Sequence, residues 1–130
     1  PRGRLGATHG DFYAKQVLLA PDGRVAVLDL DEAGPGEPEA DAGNFLAHLR
    51  WSAEAGRLKP DAAVELEQQF VCELERTAPG SFDRGRIAIH IAAGLFKLCA
   101  RPFRDRCADW PAQIDHLLVA TAAAMSEAPA

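Results

Sequence analysis

Thr8-His9-Gly10-Asp11-Phe12-Tyr13-Ala14-Lys15-Gln16-Val17-Leu18-Leu19, then Ala20-Pro21-Asp22-Gly23, then Arg24-Val25-Ala26-Val27-Leu28-Asp29-Leu30-Asp31, is the stretch on which the reading of this chain turns. Two apolar runs containing β-branched residues flank a Pro-Asp-Gly connection. Proline presets one turn angle and glycine permits the other, so the segment predicts a β-hairpin. A hairpin brings its two ends together. Asp11 and Gln16 lie just before the first strand and Asp29 closes the second, so positions eighteen apart in sequence become neighbours in space. Three oxygen-bearing side chains then converge on one point.

Phosphoryl transfer needs such a constellation. One carboxylate orients an attacking hydroxyl and accepts its proton, while an amide oxygen and a second carboxylate hold the magnesium that neutralises the phosphates. His9-Gly10-Asp11, the amide side chain five positions later at Gln16, and Asp29 after the hairpin resemble the catalytic segment of the aminoglycoside phosphotransferase and choline kinase family. The resemblance continues through Gly36-Glu37-Pro38-Glu39-Ala40-Asp41, which is similar to that family's Gly-Asp-Pro-x-x-Asp segment leading into a helix. It covers about the first third of the chain. It implies Asp11 as catalytic base, Asp29 as principal metal ligand and Gln16 as a further metal ligand, with Mg2+ and ATP as cofactor and phosphoryl donor. It also implies architectural roles for His9, Gly10 and Asp41, His9 holding the catalytic loop against the segment around Asp29. The acceptor it implies is a hydroxyl of a small molecule: an aminoglycoside, a sugar, or a choline-like or amino-acid-like compound. The family usually has Asn where this chain has Gln16, and the extra methylene would move the amide oxygen by about a bond length. Asp31, two residues past Asp29, is read as a second carboxylate behind the ligands, or as a partner of loop backbone.

The implied fold is α+β and mainly α: the C-terminal lobe of a kinase-like fold, a catalytic loop and β-hairpin followed by about four helices. Residues 1–130 read as that one lobe. Kinases of this superfamily hold ATP with an upstream lobe that covers the phosphates and supplies a strand lysine. No such features occur in these residues, so a separate N-terminal ATP lobe is the expected partner, and the lobe alone is expected not to catalyse. The surface that meets the ATP lobe is also the surface through which a homodimer would form.

Composition agrees with one globular domain: 130 residues, 48% hydrophobic and 25% charged, enough to bury roughly two thirds of the unfolded surface. The sequence has no signal peptide and no apolar run of about eighteen residues, so no membrane association and a cytoplasmic location are expected. Cys72, Cys99 and Cys107 have no Cys-x-x-Cys spacing and read as reduced thiols. A net charge of −5 without a stripe of Lys and Arg interleaved with aromatics argues against nucleic acid and tolerates cationic substrates. Asp29, Asp31, Glu32, Glu37, Glu39 and Asp41 crowd into thirteen positions with no basic residue among them. The glutamates of that run read as a solvated loop.

Helical periodicity takes over at Asp41, an N-cap candidate. Phe45, Leu46, Leu49 and Ala53 recur at helical spacing up to Gly56. Lys59-Pro60-Asp61 opens a second helix with Ala63, Leu66, Phe70 and Leu74 on one face, stopped by Pro79-Gly80. A third helix, from about Phe82 to Ala100, is apolar almost all round through Ile87, Ile89, Ile91, Leu95, Phe96 and Leu98 and reads as the buried centre. Pro102 to Asp109 reads as a basic, polar connection; Arg101-Pro102-Phe103-Arg104 could face a phosphate, but reads first as an inter-helix loop with surface arginines. Trp110-Pro111 opens the last helix, with a frayed tail from Ser126 to Ala130. His48, His90 and His116 lack the spacing of zinc ligands. Phe12, Tyr13, Trp51 and Trp110 read as packing residues.

Rival readings of the Asp29 region are weaker. Val27-Leu28-Asp29-Leu30-Asp31 also resembles the start of haloacid-dehalogenase-type phosphatases, which require a parallel sheet from later strands. An EF-hand loop from Asp29 would carry Ala33 and Ala40 where oxygen ligands are needed. The substantial alternative is a non-catalytic kinase-like binding module, suggested by Gln16.

Overall fold

The structure is a computed structural model that describes residues 5–128. Gly6–Thr8 (β1), Val17–Leu19 (β2), Val25–Val27 (β3) and Gly34–Gly36 (β4) form two antiparallel ribbons. The expected hairpin is β2 with β3, Val17 opposite Val27 and Leu19 opposite Val25. Its turn is closed by Gly23 N donating to Ala20 O at 2.9 Å and Ala20 N donating to Arg24 O at 2.8 Å. The second ribbon, β1 with β4, pairs Gly6 with Gly36 and Thr8 with Gly34. Both pairings are antiparallel, so the described residues lack the parallel sheet that the phosphatase alternative requires.

Five helices follow: Pro38–Glu54 (α1), Pro60–Thr77 (α2), Arg84–Leu98 (α3), the single turn Arg101–Arg104 (α4) and Trp110–Glu127 (α5). Proline occupies the first or second position of every one but α3, where its missing N–H costs nothing and its fixed φ suits the helix. α3 starts instead on Asp83, whose carboxylate accepts from Arg86 N at 3.0 Å. The fold is therefore α+β and mainly α, as expected.

α3 is the centre of the helical body, packed between α1 and α5. Leu46, Leu95 and Leu117, one from each helix, are fully buried. α1 and α3 approach closely because the contact is made at glycines. A Cβ on Gly43 would lie 2.4 Å from His90 Cβ, and one on Gly94 would lie 2.7 Å from Ala47 Cβ. Nothing larger than hydrogen fits at either point.

Several expectations need correction. Asp41 is not the N-cap of α1; the helix starts at Pro38, and Asp41 sits within it. The glutamates at 37 and 39 are not free in a solvated loop. Glu39 is buried at 4% exposure and accepts from Asp83 N at 3.1 Å, while Glu37 pairs with Arg86 and accepts from His90 Nε2. Both find partners at the start and middle of α3, more than forty residues away, and Glu39 alone is taken out of water by them. Part of the expected 102–109 connection is helical, α4 with Pro102 fully buried. Ile89 and Phe96 remain exposed, so α3 is central without being buried on every side. Ser126 and Glu127 are helical, and the remainder of the expected frayed tail reaches residues 129–130, outside the described residues. Cys72, Cys99 and Cys107 are free thiols. Among the described residues no helix is long and apolar enough to cross a membrane.

Candidate active site

His9 is buried, at 8% exposure, between the loop and the end of the hairpin. Its Nδ1 accepts from Asp11 N at 3.3 Å. A backbone amide can only donate, so the ring hydrogen is on Nε2, which donates to Leu28 O at 2.7 Å. Leu28 immediately precedes Asp29. One imidazole thus spans the loop that carries Asp11 and the strand end that carries Asp29, and Leu28 N donating to Gln16 O at 2.8 Å adds a second tie.

Helix α1 supplies the other anchor. Asp41 Oδ2 accepts from His9 N at 2.6 Å and Asp41 Oδ1 from Gly10 N at 3.0 Å. Three residues on, and so on the same face of the helix, Asn44 Nδ2 donates to Asp11 Oδ1 at 3.3 Å and to Phe12 O at 3.0 Å. Gly10 makes this turn at φ +88°, and a Cβ there would lie 2.5 Å from Glu32 O. The loop passes through that gap only as glycine.

Gln16 ends a short 3-10 turn, Ala14–Gln16, and is buried at 7% exposure directly before β2. Its Nε2 donates to Asp29 Oδ2 at 3.2 Å. Asp29 is exposed and adopts φ +60°, a left-handed conformation in which Asp and Asn are tolerated better than most residues. The hairpin therefore does bring Gln16 and Asp29 side by side, and His9 ties the backbone of Asp11 to Leu28, the residue before Asp29. Asp31 lies in the exposed turn after β3, outside the hydrogen bonds that join these groups.

The described residues contain no group of three or more His, Cys, Asp or Glu placed to hold a metal. A magnesium ion that shares its coordination with nucleotide phosphates and water needs only one or two protein oxygens. Asp29 and Gln16 fit that requirement, because the bond between them uses Oδ2 and Nε2 and leaves Asp29 Oδ1 and Gln16 Oε1 for a cation.

Beyond Asp11 the loop lines a cleft of about 270 Å³ together with α1 and α4. Tyr13 stacks on His48 with ring centres 4.2 Å apart, and Phe12 stacks on Phe45 at 5.6 Å. Both aromatics pack as expected, yet Tyr13 also forms a cleft wall. Burial, together with the positive charges of Arg101, Arg57 and Lys15, pushes the His48 imidazole down to about 4, against an opposing pull from Asp11. The sequence reading has no role for Asn44 and takes His48 only as a histidine without metal-ligand spacing. Asn44 was detectable as a polar residue three positions after Asp41 in an otherwise apolar stretch; His48 had no such signal.

Residues 1–59 match the family model described as the phosphotransferase enzyme family, consistent with the resemblance to aminoglycoside phosphotransferases. The matched span contains Asp11, Gln16, Asp29, Asp41 and Asn44. No curated protein and no solved structure matches the chain.

Proposed function

We propose that this chain, whose first 59 residues match a phosphotransferase family, is the catalytic lobe of an enzyme that moves the terminal phosphoryl group of ATP to a hydroxyl of a small molecule in the cytoplasm. The observation that carries the reading is the His9 bridge from Asp11 N to Leu28 O, which sets the loop of the base against the strand end of the metal ligand. Asp11 accepts the proton of the acceptor hydroxyl as its oxygen attacks, and Asn44, donating to Asp11 Oδ1, holds the carboxylate in place. Asp29 and Gln16 would hold magnesium, which when bound neutralises charge on the phosphates.

The hairpin supports a further part of the reading. Leu18, Leu19, Val25, Val27, Leu28 and Leu30 are all exposed, an apolar patch of the kind that marks an interface. We place the ATP-holding lobe against it, with a second copy of the chain as the competing occupant. The test is magnesium-dependent ADP release by the full-length protein over a set of hydroxyl acceptors. Asp11→Asn should lower kcat by roughly 10²–10⁴-fold with an unchanged melting temperature, and Asp29→Ala should abolish turnover. Turnover unaltered in Asp11→Asn removes the mechanism.

A further inference from the structure

We propose that the acceptor is an anion: a small hydroxyl compound whose carboxylate or phosphate is held in the cleft beside Asp11 by Lys15, Arg57 and Arg101. The inference rests on the phosphotransferase reading and goes beyond it, because neither the motif nor the net charge of −5 points to an acidic substrate.

Three observations converge. Lys15, Arg57 and Arg101 line this one cleft against a single carboxylate, Asp105, so an acidic protein concentrates positive charge next to its catalytic loop. These cations are also unspent. Arg24, Arg50, Arg76, Arg84 and Arg86 each pair with a carboxylate, whereas among the described residues Lys15, Arg57 and Arg101 form no ion pair, a state they share with Lys59, Lys97, Arg104 and Arg106, none of which lines this cleft. Instead, the Arg57 guanidinium lies 3.8 Å from the centre of the Trp51 ring and that of Arg101 lies 5.9 Å from it. Stacking on an aromatic face holds the Arg57 guanidinium without consuming its N–H edge, so its fork stays ready to donate in pairs to a carboxylate or phosphate, and Arg101, farther from the same ring, is not stacked on it.

The third observation ties these charges to the chemistry. The loop that carries Asp11 also carries Tyr13 two residues on, which lines the cleft and stacks on His48, so an anion seated among the cations lies next to the loop of the base. At about 270 Å³ the cleft is at or below the lower end of ordinary ligand sites, which start at roughly 300 Å³. That volume matches a compound of one ring or a short chain. Tyr13 and Trp51 offer aromatic walls to its carbon skeleton.

The experiment compares acceptors of matched frame and different charge. Full-length protein with magnesium and ATP is assayed for ADP release on pools of anionic hydroxyl compounds (hydroxy acids, sugar acids, sugar phosphates), neutral sugars and polyols, and cationic amino sugars and choline. Binding of gluconate and of glucose 6-phosphate is measured in parallel by calorimetry. Turnover is expected in the anionic pool, and comparing its carboxylate and phosphate members identifies which group is read. Arg57→Ala with Arg101→Ala should raise the acceptor KM roughly ten- to a hundredfold, as loss of charge-assisted hydrogen bonds does, at an unchanged melting temperature. Turnover confined to the neutral or cationic pools overturns the anionic acceptor and leaves the phosphotransferase reading intact. A rise in the KM for ATP in place of the acceptor KM overturns it too, by moving the cations to the nucleotide. Should no pool turn over, the phosphotransferase reading fails, and the anion site is then judged by calorimetry alone. Saturable binding of either probe that is lost in the double variant sustains it, and absence of such binding overturns it.

Discussion

In the ribbons, Leu18, Leu19, Val25 and Val27 face solvent, whereas in the helical body Leu46, Leu95 and Leu117 are sealed from it. The two regions are held by different forces. The helices cohere by apolar burial around α3 and by the glycine contacts of α1 with it. The ribbons have three-residue strands, too short to be stable alone, and bury little. What fixes them is a short set of polar bonds: Asp41 to His9 and Gly10, Asn44 to Asp11 and Phe12, His9 to Leu28. The site is thus a weakly cored segment positioned by one face of α1. Stability and chemistry should separate under mutation except where that face is touched.

Leu117→Ala tests the helical side and should have the largest effect on stability. Removing a fully buried leucine side chain leaves a cavity and costs about 3 kcal/mol. Urea denaturation should report that loss, while turnover per folded molecule stays at the wild-type value. A matching fall in turnover would show that the site depends on the whole bundle and not on α1 alone.

Asp41→Ala tests the joint between the regions. It strips the acceptor from two backbone N–H groups at once, and bonds to a charged group are worth about 1.5–3 kcal/mol each before solvent exposure discounts them. A stability loss of about 2 kcal/mol is expected, together with a fall in kcat of roughly tenfold or more as the loop loses its anchor. A stability loss with full activity would mean that His9 and Asn44 suffice to position Asp11.

The same contrast explains what could be read from the sequence. In the loop and hairpin the turn residues fix which ends meet, so the juxtaposition of Gln16 with Asp29 was legible, and the family match ends at residue 59, before α2 begins. The β1–β4 ribbon was not legible, because Gly34-Pro35-Gly36 has neither alternation nor β-branched residues and pairs only through its backbone. Asp41 was misplaced as a cap because its carboxylate serves amides thirty residues earlier, while the true start was marked by Pro38. Glu39 looked solvated because its partner, Asp83 N, lies forty-four positions away. The cationic cleft was legible only at Arg101, whose segment could face a phosphate, because Lys15, Arg57 and Arg101 meet only after α1, α4 and the loop have packed.

The smallest expected effect lies at His48, where the regions touch through its stack on Tyr13. Burial and neighbouring cations hold its pKa near 4 in the folded protein, against 6.5 for the free group. Above pH 6.5 the imidazole is neutral in both states and contributes no pH dependence. As the pH falls from 6.5 towards 4, the unfolded chain takes up a proton that the folded chain refuses, so stability declines across that window and the decline levels off below it. Because His48 is only partly buried, solvent screening reduces the loss to about 1 kcal/mol between pH 7 and 5. Denaturation of the wild type and His48→Gln at both pH values isolates this contribution from the carboxylates, which titrate in each. The wild type should lose about 1 kcal/mol more than the variant. Equal losses would mean that His48 is accessible enough to ionise in place, its burial between the loop and α1 then being looser than its stack on Tyr13 requires.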